Sequence, residues 1–463
     1  MSGHPTAGGS RRTCPRPPGR LRFLEDLLTS TPPLPWKNWA GNQTAHPRRV
    51  VTPRSPEEVS AAVRRAASEG MRVKAVGAGH SFTSVAVTDG VQIRPEGLTE
   101  IRSVDAEAGT VTVGSGMRLE RFNDVLARHG LALTNMGDIA VQSLAGATGT
   151  GTHGTGRASG ALSGQIRGLE MVLADGEIVT CSATENAELF AGARVGLGAL
   201  GIVTALTFAV EPAFLLEARE EPMTLDTVLG GFDELCADND HFEFYWFPHT
   251  DSCNVKRNNR TEGPAKPLSK ARFLLDDEIL SNGVFGLACR LGKAAPKAIP
   301  TIAKLSSKAL SARTYTDASY KVFTSPRRVR FVEMEYAIPR EALTSALREV
   351  HKLVADGDDK VSFPVEVRIA PGDDMWLSTA SGRDSAYVAV HMYRGTAHER
   401  YFTAVERIMT AHQGRPHWGK LHTRDAEYFA DVYPHFADFR TLRDRVDPER
   451  RFGNAYLRRV LGE

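Results

Sequence analysis

Helical and strand periods alternate along the first half of the chain. Val59, Ala62, Val63 and Ala66 recur at helical spacing after Ser55-Pro56-Glu57-Glu58. There Ser55 suits an N-cap, Pro56 the first turn and Glu58 a capping box, and Gly70 marks the stop. Arg72–Val76 then predicts a strand that runs into the glycine-rich Gly77-Ala78-Gly79-His80-Ser81. Thr110–Val113 predicts a strand, Leu119–His129 a helix, Gly168–Val179 a hairpin turning at Asp175-Gly176, and Ile202–Val210 a β-branched strand. From 214 the pattern changes. His241–Phe247 and Arg330–Tyr336 alternate as strands of an open sheet, each expected to lead into a helix, the second into Glu341–Ala355. An α/β unit dense in glycine over about 40–213 and a second, α+β unit from 214 are therefore expected.

Composition narrows the function classes. The 463 residues carry 57 Lys+Arg against 55 Asp+Glu, a net charge of +2, so bulk charge argues against a nucleic-acid or membrane-surface partner and leaves only a local patch to serve one. No apolar run approaches the 18 residues of a spanning helix. Five cysteines (Cys14, Cys181, Cys236, Cys253, Cys289) are an odd number without a C-x-x-C pair. That argues against a disulfide framework or zinc site and fits a reducing, cytoplasmic setting. Residues 1–35 are rich in Pro and Gly, and no apolar stretch follows Arg11-Arg12, so a disordered tail is expected rather than an export signal. No H-E-x-x-H helix and no G-x-S-x-G elbow is present, which sets aside metal catalysis and serine hydrolysis.

The 42 glycines cluster. Two segments, Gly149–Gly154 and Gly196–Gly201, match G-x-G-x-x-G, but the first runs into a stretch too loose for a helix and the second straight into a strand. A dinucleotide fingerprint needs a strand before and a helix after, so that reading fails. What stands is three glycine-rich turns, at 77–81, 145–156 and 196–201. Glycine allows close approach of backbone to ligand, successive N–H groups form anion-binding nests, and Ser81, Ser143, Thr148, Thr150 and Thr152 add neutral donors. Converging turns of this kind suit a pyrophosphate.

In these motifs the chain resembles the vanillyl-alcohol-oxidase (PCMH-type) family of FAD-binding flavoproteins. Val76-Gly-Ala-Gly-His-Ser-Phe82 is similar to the family's flavin-attachment turn; Ala145–Gly156 and Leu197–Gly201 are similar to its other flavin-contacting segments. Arg415-Pro-His-Trp-Gly-Lys420 is similar to the signature of the sugar-1,4-lactone oxidase and alditol oxidase branch, closer to the gulonolactone and arabinonolactone enzymes. The resemblance runs from about Trp39 to the end. It implies an α+β, two-domain flavoenzyme: residues 40–213, rejoined by 416–463, hold FAD, and 214–415 form a substrate cap. It places Gly77, Ala78, Gly79, His80, Ser81, Ser143, Gly146, Ala147, Gly151, Thr152, His153, Gly154, Gly198, Gly201 and Ile202 at the cofactor, with His80 at the position where many members bond the flavin covalently.

The candidate catalytic residues lie in the second half. Glu366-Val-Arg368 puts two charges on one face of a strand by period-two alternation, in the apolar setting of Phe363 and Ile369, where a buried pair needs a reason. His391 alternates onto one face of Val388–Tyr393. By resemblance, Glu366 and Arg368 face the reacting carbon, His391 or a neighbouring group helps take the hydroxyl proton, and Lys420 sits near flavin N1, where a cation favours reduced flavin. The activity so implied is oxidation of the C2 hydroxyl of an aldono-1,4-lactone, D-arabinono- or L-gulono-1,4-lactone. Hydride passes to flavin N5 and electrons on to O2 or another acceptor, and the product enolises to ascorbate or an analogue. An alditol (xylitol or sorbitol) oxidase is the alternative enzyme. A non-catalytic flavin-binding protein has no use for Glu366, Arg368, His391 and Lys420 together.

Overall fold

A computed structural model describes Met1, Gly3, residues 33–274, 279 and 282–463. The expected tail lies almost wholly outside the described residues, as does Cys14. The first helix spans Pro56–Ser68, with the Ser55 hydroxyl accepting from the Glu58 N–H and the Glu58 carboxylate accepting from Arg54 N–H at 2.8 Å. Val59, Val63 and Ala66 form its buried stripe. The strand at 72–76 is Val73–Ala75, and the hairpin pairs Ile166–Val172 with Ile178–Ser182 around Gly176, whose φ of 83° requires a residue without a side chain.

Two local expectations are corrected. Within the second glycine-rich stretch, Leu144–Gly149 is a six-residue helix, because Leu144, Ala147 and Thr148 are packed inward against the core. After His241–Trp246 comes no helix but the strand Ser252–Thr261, paired antiparallel. The Phe247–Asp251 link, with His249 at φ 66°, is of hairpin length and closes back before a helix can start.

Five strands form an antiparallel sheet in the order Ile178–Ser182, Ile166–Val172, Ile202–Ala209, Thr110–Gly114, Ile101–Asp105, beside a parallel sheet of Arg49–Val51, Val91–Ile93 and Val73–Ala75. An eight-stranded sheet runs Arg313–Ala318, Leu215–Thr224, Ser252–Thr261, His241–Trp246, Val365–Ala370, Ser385–Tyr393, Phe331–Pro339, Arg415–Pro416. One apolar face of that sheet (Phe242, Phe244, Val365, Val367, Val388, Val390, Met334) packs on the helices Leu343–Asp356 and Glu399–Ala411. A separate core joins the five-stranded sheet to the C-terminal helices through Trp418, Phe429, Phe436, Leu457 and Leu461. The chain thus returns to its first half after crossing the large sheet. No helix among the described residues is long and apolar enough to cross a membrane.

Candidate active site

The first and third glycine turns and the short helix meet in one cleft, partly open to solvent. Gly77, Ala78, Gly79, His80, Ser81, Ser143, Gly146, Gly198, Gly201 and Ile202 all line it. Ala147, Gly151, Thr152, His153 and Gly154 do not. Ala147 is fully buried in the core, Thr152 accepts from Gln142 Nε2 at 3.1 Å, and Gly151 (φ 77°) and Gly154 lie in the segment that leads away. A Cβ on Gly77 would stand 2.1 Å from Ser143 Oγ, and one on Gly146 2.8 Å from the same atom, so the turn and the helix touch through bare backbone. Ser143 Oγ and Gln142 Oε1 are buried on this wall without a protein partner.

Lys74, at the strand end before the first turn, is the one lysine or arginine among the lining residues. It is buried and donates to the carbonyls of Gly198 (3.0 Å), Phe452 (3.2 Å) and Leu197 (3.4 Å). Burial, with Arg443 adding to it, lowers its ammonium to about 7. Orphaned polar atoms and bare glycine backbone together fit an elongated dinucleotide, while the Lys74 donors are taken by those three carbonyls, which tie its strand to the third turn and to Phe452. His80 stacks on Trp39 at 5.4 Å, and burial, with Arg118 and Lys420 nearby, pushes its imidazole down to about 4, leaving a neutral ring at pH 7.

The second element of the site is the other face of the eight-stranded sheet. Cross-strand register sets Glu243 opposite Arg368 and Tyr245 opposite Glu366, then Arg368 opposite Tyr387, and His391 opposite Glu333. One face therefore carries Glu243, Tyr245, Glu366, Arg368, Tyr387, His391, Glu333 and Glu335, nearly all buried. Arg368 is held by Glu366, by Glu243 at 2.8 Å and by Asp138 at 3.7 Å. Tyr245 OH donates to Glu366 at 3.3 Å. Burial raises the Glu366 carboxyl above its ordinary range despite Arg368. Burial also acts on Glu243, but Arg368 and Lys256 outweigh it and hold that carboxylate low.

The last strand delivers Lys420. Arg415–Pro416 pairs with the edge of Phe331–Pro339, and the chain continues along it, His417 N–H donating to Glu335 O (3.0 Å) and Leu421 N–H to Glu333 O (2.8 Å). Lys420 is thereby ion-paired with Glu333, whose other oxygen faces His391 Nε2 at 3.5 Å. Burial opposes the lysine's charge, but Glu333 and Glu335 prevail and keep it an ammonium. The same segment touches the first glycine turn, since Phe82 N–H donates to Gly419 O at 2.6 Å and Lys420 lies 5.4 Å from the Phe82 ring. The cofactor cleft and the charged face thus meet at Lys420, so the four residues Glu366, Arg368, His391 and Lys420 share one site.

His153 belongs here rather than in the cleft. Its two ring nitrogens face Gly154 O (2.8 Å) and Glu335 (2.9 Å), and the ring stacks on Tyr387 at 3.6 Å. Sequence reasoning missed Glu333, Glu335, Glu243, Asp138 and Tyr245. A signal existed, because Glu333-Met-Glu335 has the same two-residue spacing as Glu366-Val-Arg368.

Buried histidines give a pH signature. Burial pushes His417 to about 4, like His80, and His422 well down. As pH falls from about 6.5, the unfolded chain takes up these protons and the folded chain does not until about 4, so stability falls across that window. Urea midpoints at pH 7 and 4.5 check this: the midpoint should drop, and His417→Asn should flatten the drop.

The comparisons agree with the geometry. The family model described as D-arabinono-1,4-lactone oxidase matches residues 206–460, and the FAD binding domain model matches 47–182. An L-gulono-1,4-lactone dehydrogenase of Mycobacterium tuberculosis is 42% identical over 427 residues, 92% of this chain and 99% of that protein. L-gulonolactone oxidase of Bos taurus is 36% identical and alditol oxidase of a Streptomyces species 32%, each over 92% of this chain and 98% of the relative. Among solved structures, cholesterol oxidase from B. sterolicum superposes with a TM-score of 0.79 at 18% identity, covering 97% of this chain and 100% of that one, which establishes the shared α+β, PCMH-type FAD-binding fold. The chain belongs to the D-arabinono-1,4-lactone oxidase family and is an FAD-dependent oxidoreductase acting on CH–OH groups.

Proposed function

We propose that this enzyme oxidises the C2 hydroxyl of L-gulono- or D-arabinono-1,4-lactone, with residues 40–213 and 416–463 holding FAD and 214–415 covering the substrate. The observation that carries the reading is the buried charged face meeting the dinucleotide cleft at Lys420. FAD, when bound, supplies the acceptor for two electrons and the hydrogen of the carbinol carbon. The protein does the rest. Arg368, fixed by Glu243 and Glu366, offers a rigid donor to a lactone oxygen. Glu366 and Tyr245 orient the hydroxyl, and His391 or a neighbouring group takes its proton, the Glu333 carboxylate 3.5 Å from the ring stabilising the charge that results. Lys420 keeps a fixed positive charge where negative charge develops.

Gly77→Ala is expected to lower the flavin-to-protein ratio of the purified enzyme, because its methyl would displace Ser143; Gly230→Ala, with open space around its Cβ and outside the cleft lining, should leave it unchanged. Acid precipitation reads the role of His80: flavin in the pellet makes it the covalent tether, and flavin in the supernatant leaves it a ring beside the cofactor.

The deciding experiment is the anaerobic visible spectrum with L-gulono-1,4-lactone and D-arabinono-1,4-lactone. Bleaching of the flavin by either, and recovery of colour in air, supports a lactone oxidase. Bleaching without recovery assigns an acceptor other than O2, and bleaching by xylitol alone overturns the lactone reading. The buried thiols of Cys181, Cys236, Cys253 and Cys289 are free, which supports the cytoplasm as the working compartment.

A further inference from the structure

Between the strands Ser252–Thr261 and Arg313–Ala318 the chain leaves the large sheet, and after the short helix Lys270–Phe273 its described residues include the longer helices Phe285–Ala294 and Ile299–Lys308. Their inner side is accounted for: Phe285 packs edge-on against Phe363 at 4.8 Å, and Cys289, Gly292 and Ile299 are buried. A second apolar stripe faces outward. Val284, Leu287 and Leu291, spaced i, i+3, i+7, are 51%, 55% and 54% exposed, and Leu305 on the second helix is 73% exposed. Of the ten exposed large hydrophobics among the described residues, six lie between 274 and 305. Isolated exposed leucines need no explanation; a concentration in one hairpin does.

Charge tells what covers this face. From 284 to 308 the sequence holds Arg290, Lys293, Lys297, Lys304 and Lys308 and no acid, in a chain otherwise near balance; Asp276, Asp277 and Glu278 precede the segment. Leu287, Arg290 and Lys293 also line an open cleft whose far wall carries Arg330 and Arg394. A second copy of the chain would bring like charges together. A phospholipid surface meets both needs, phosphates for the cations and the acyl boundary for the leucines.

We propose that this hairpin docks the enzyme on an anionic phospholipid bilayer. Val284, Leu287, Leu291 and Leu305 enter the boundary between headgroups and acyl chains, and Arg290, Lys293, Lys297 and Lys304 contact phosphate. The docked face adjoins the substrate site: Phe331, next to Arg330, lies 5.0 Å edge-on from His391. The attachment is peripheral, reversible and independent of the lactone reading.

The test is co-sedimentation of the full-length holoenzyme with vesicles of phosphatidylcholine alone and of phosphatidylcholine mixed with phosphatidylglycerol. Binding is expected to the mixed vesicles and to weaken with salt. Leu287→Glu/Leu291→Glu and Lys293→Glu/Lys297→Glu should each weaken it about tenfold or more, with flavin content and turnover on a soluble acceptor unchanged. Absence of binding at low salt overturns the proposal, as does unchanged binding by the leucine variant. So does a wild-type dimer that the leucine variant splits while vesicles capture neither form.

Discussion

Glu366→Gln is expected to lower kcat by about 10²–10⁴-fold while leaving the bound-flavin spectrum as in the wild type. Glutamine keeps the shape and can still accept from Tyr245 and Arg368, so the loss isolates the carboxylate itself. Stability should hold or rise, because burial already disfavours the ionised form of Glu366. Stopped-flow bleaching of the flavin by lactone, read beside a urea titration, separates the two effects. A bleaching rate within about tenfold of wild type would remove Glu366 from the chemistry.

Arg368→Met should have the largest effect on the fold of the site. Arg368 is the shared cation of Glu366, Glu243 and Asp138, all on or beside one buried face. Removing it leaves Glu243 with Lys256 at 3.4 Å, Asp138 with Arg327 at 2.7 Å, and Glu366 with the Tyr245 hydroxyl and the more distant charge of Arg327. Breaking a buried pair from one side costs about 3–5 kcal/mol, so the urea midpoint should fall by a corresponding amount. The sign of the pH dependence follows from the carboxylates. Arg368 is the foremost charge holding Glu243 below its ordinary value and, after Arg327, does the same for Asp138, a stabilisation present above about pH 4 and lost as they protonate. The gap between variant and wild type should therefore stay wide from pH 7 down to about 4 and narrow below it. A gap that does not change with pH would mean that packing, not charge, makes Arg368 matter. Arg368→Lys restores a charge but not the planar fork, so it should recover stability more than turnover.

Much of the cofactor cleft was legible in the chain because its determinants are local. Gly77 and Gly79 stand in a turn where an added Cβ meets Ser143 Oγ or the Trp36 ring, and that need is visible as a glycine cluster after a strand. The Glu366-x-Arg368 alternation likewise announces a shared strand face. The helix expected after His241–Phe247 failed for the opposite reason. Nothing within that segment says whether the next residues turn back, and pairing with Ser252–Thr261 decides it.

The charged partners were not legible. Asp138 meets Arg327 across 189 positions, and Glu333 meets Lys420 only because the C-terminal segment lies along the edge of Phe331–Pro339. In the sequence Glu333 and Glu335 read as the solvent face of an open sheet, the commonest fate of such residues. By itself, then, the sequence determined the turns that admit a dinucleotide and the strand faces that carry Glu366, Arg368 and His391, since backbone conformation and alternation depend on neighbouring residues. Only the tertiary structure decided that the polar face of the large sheet is covered, and which carboxylate holds which cation, because burial and long-range pairing depend on what the rest of the chain lays over that face.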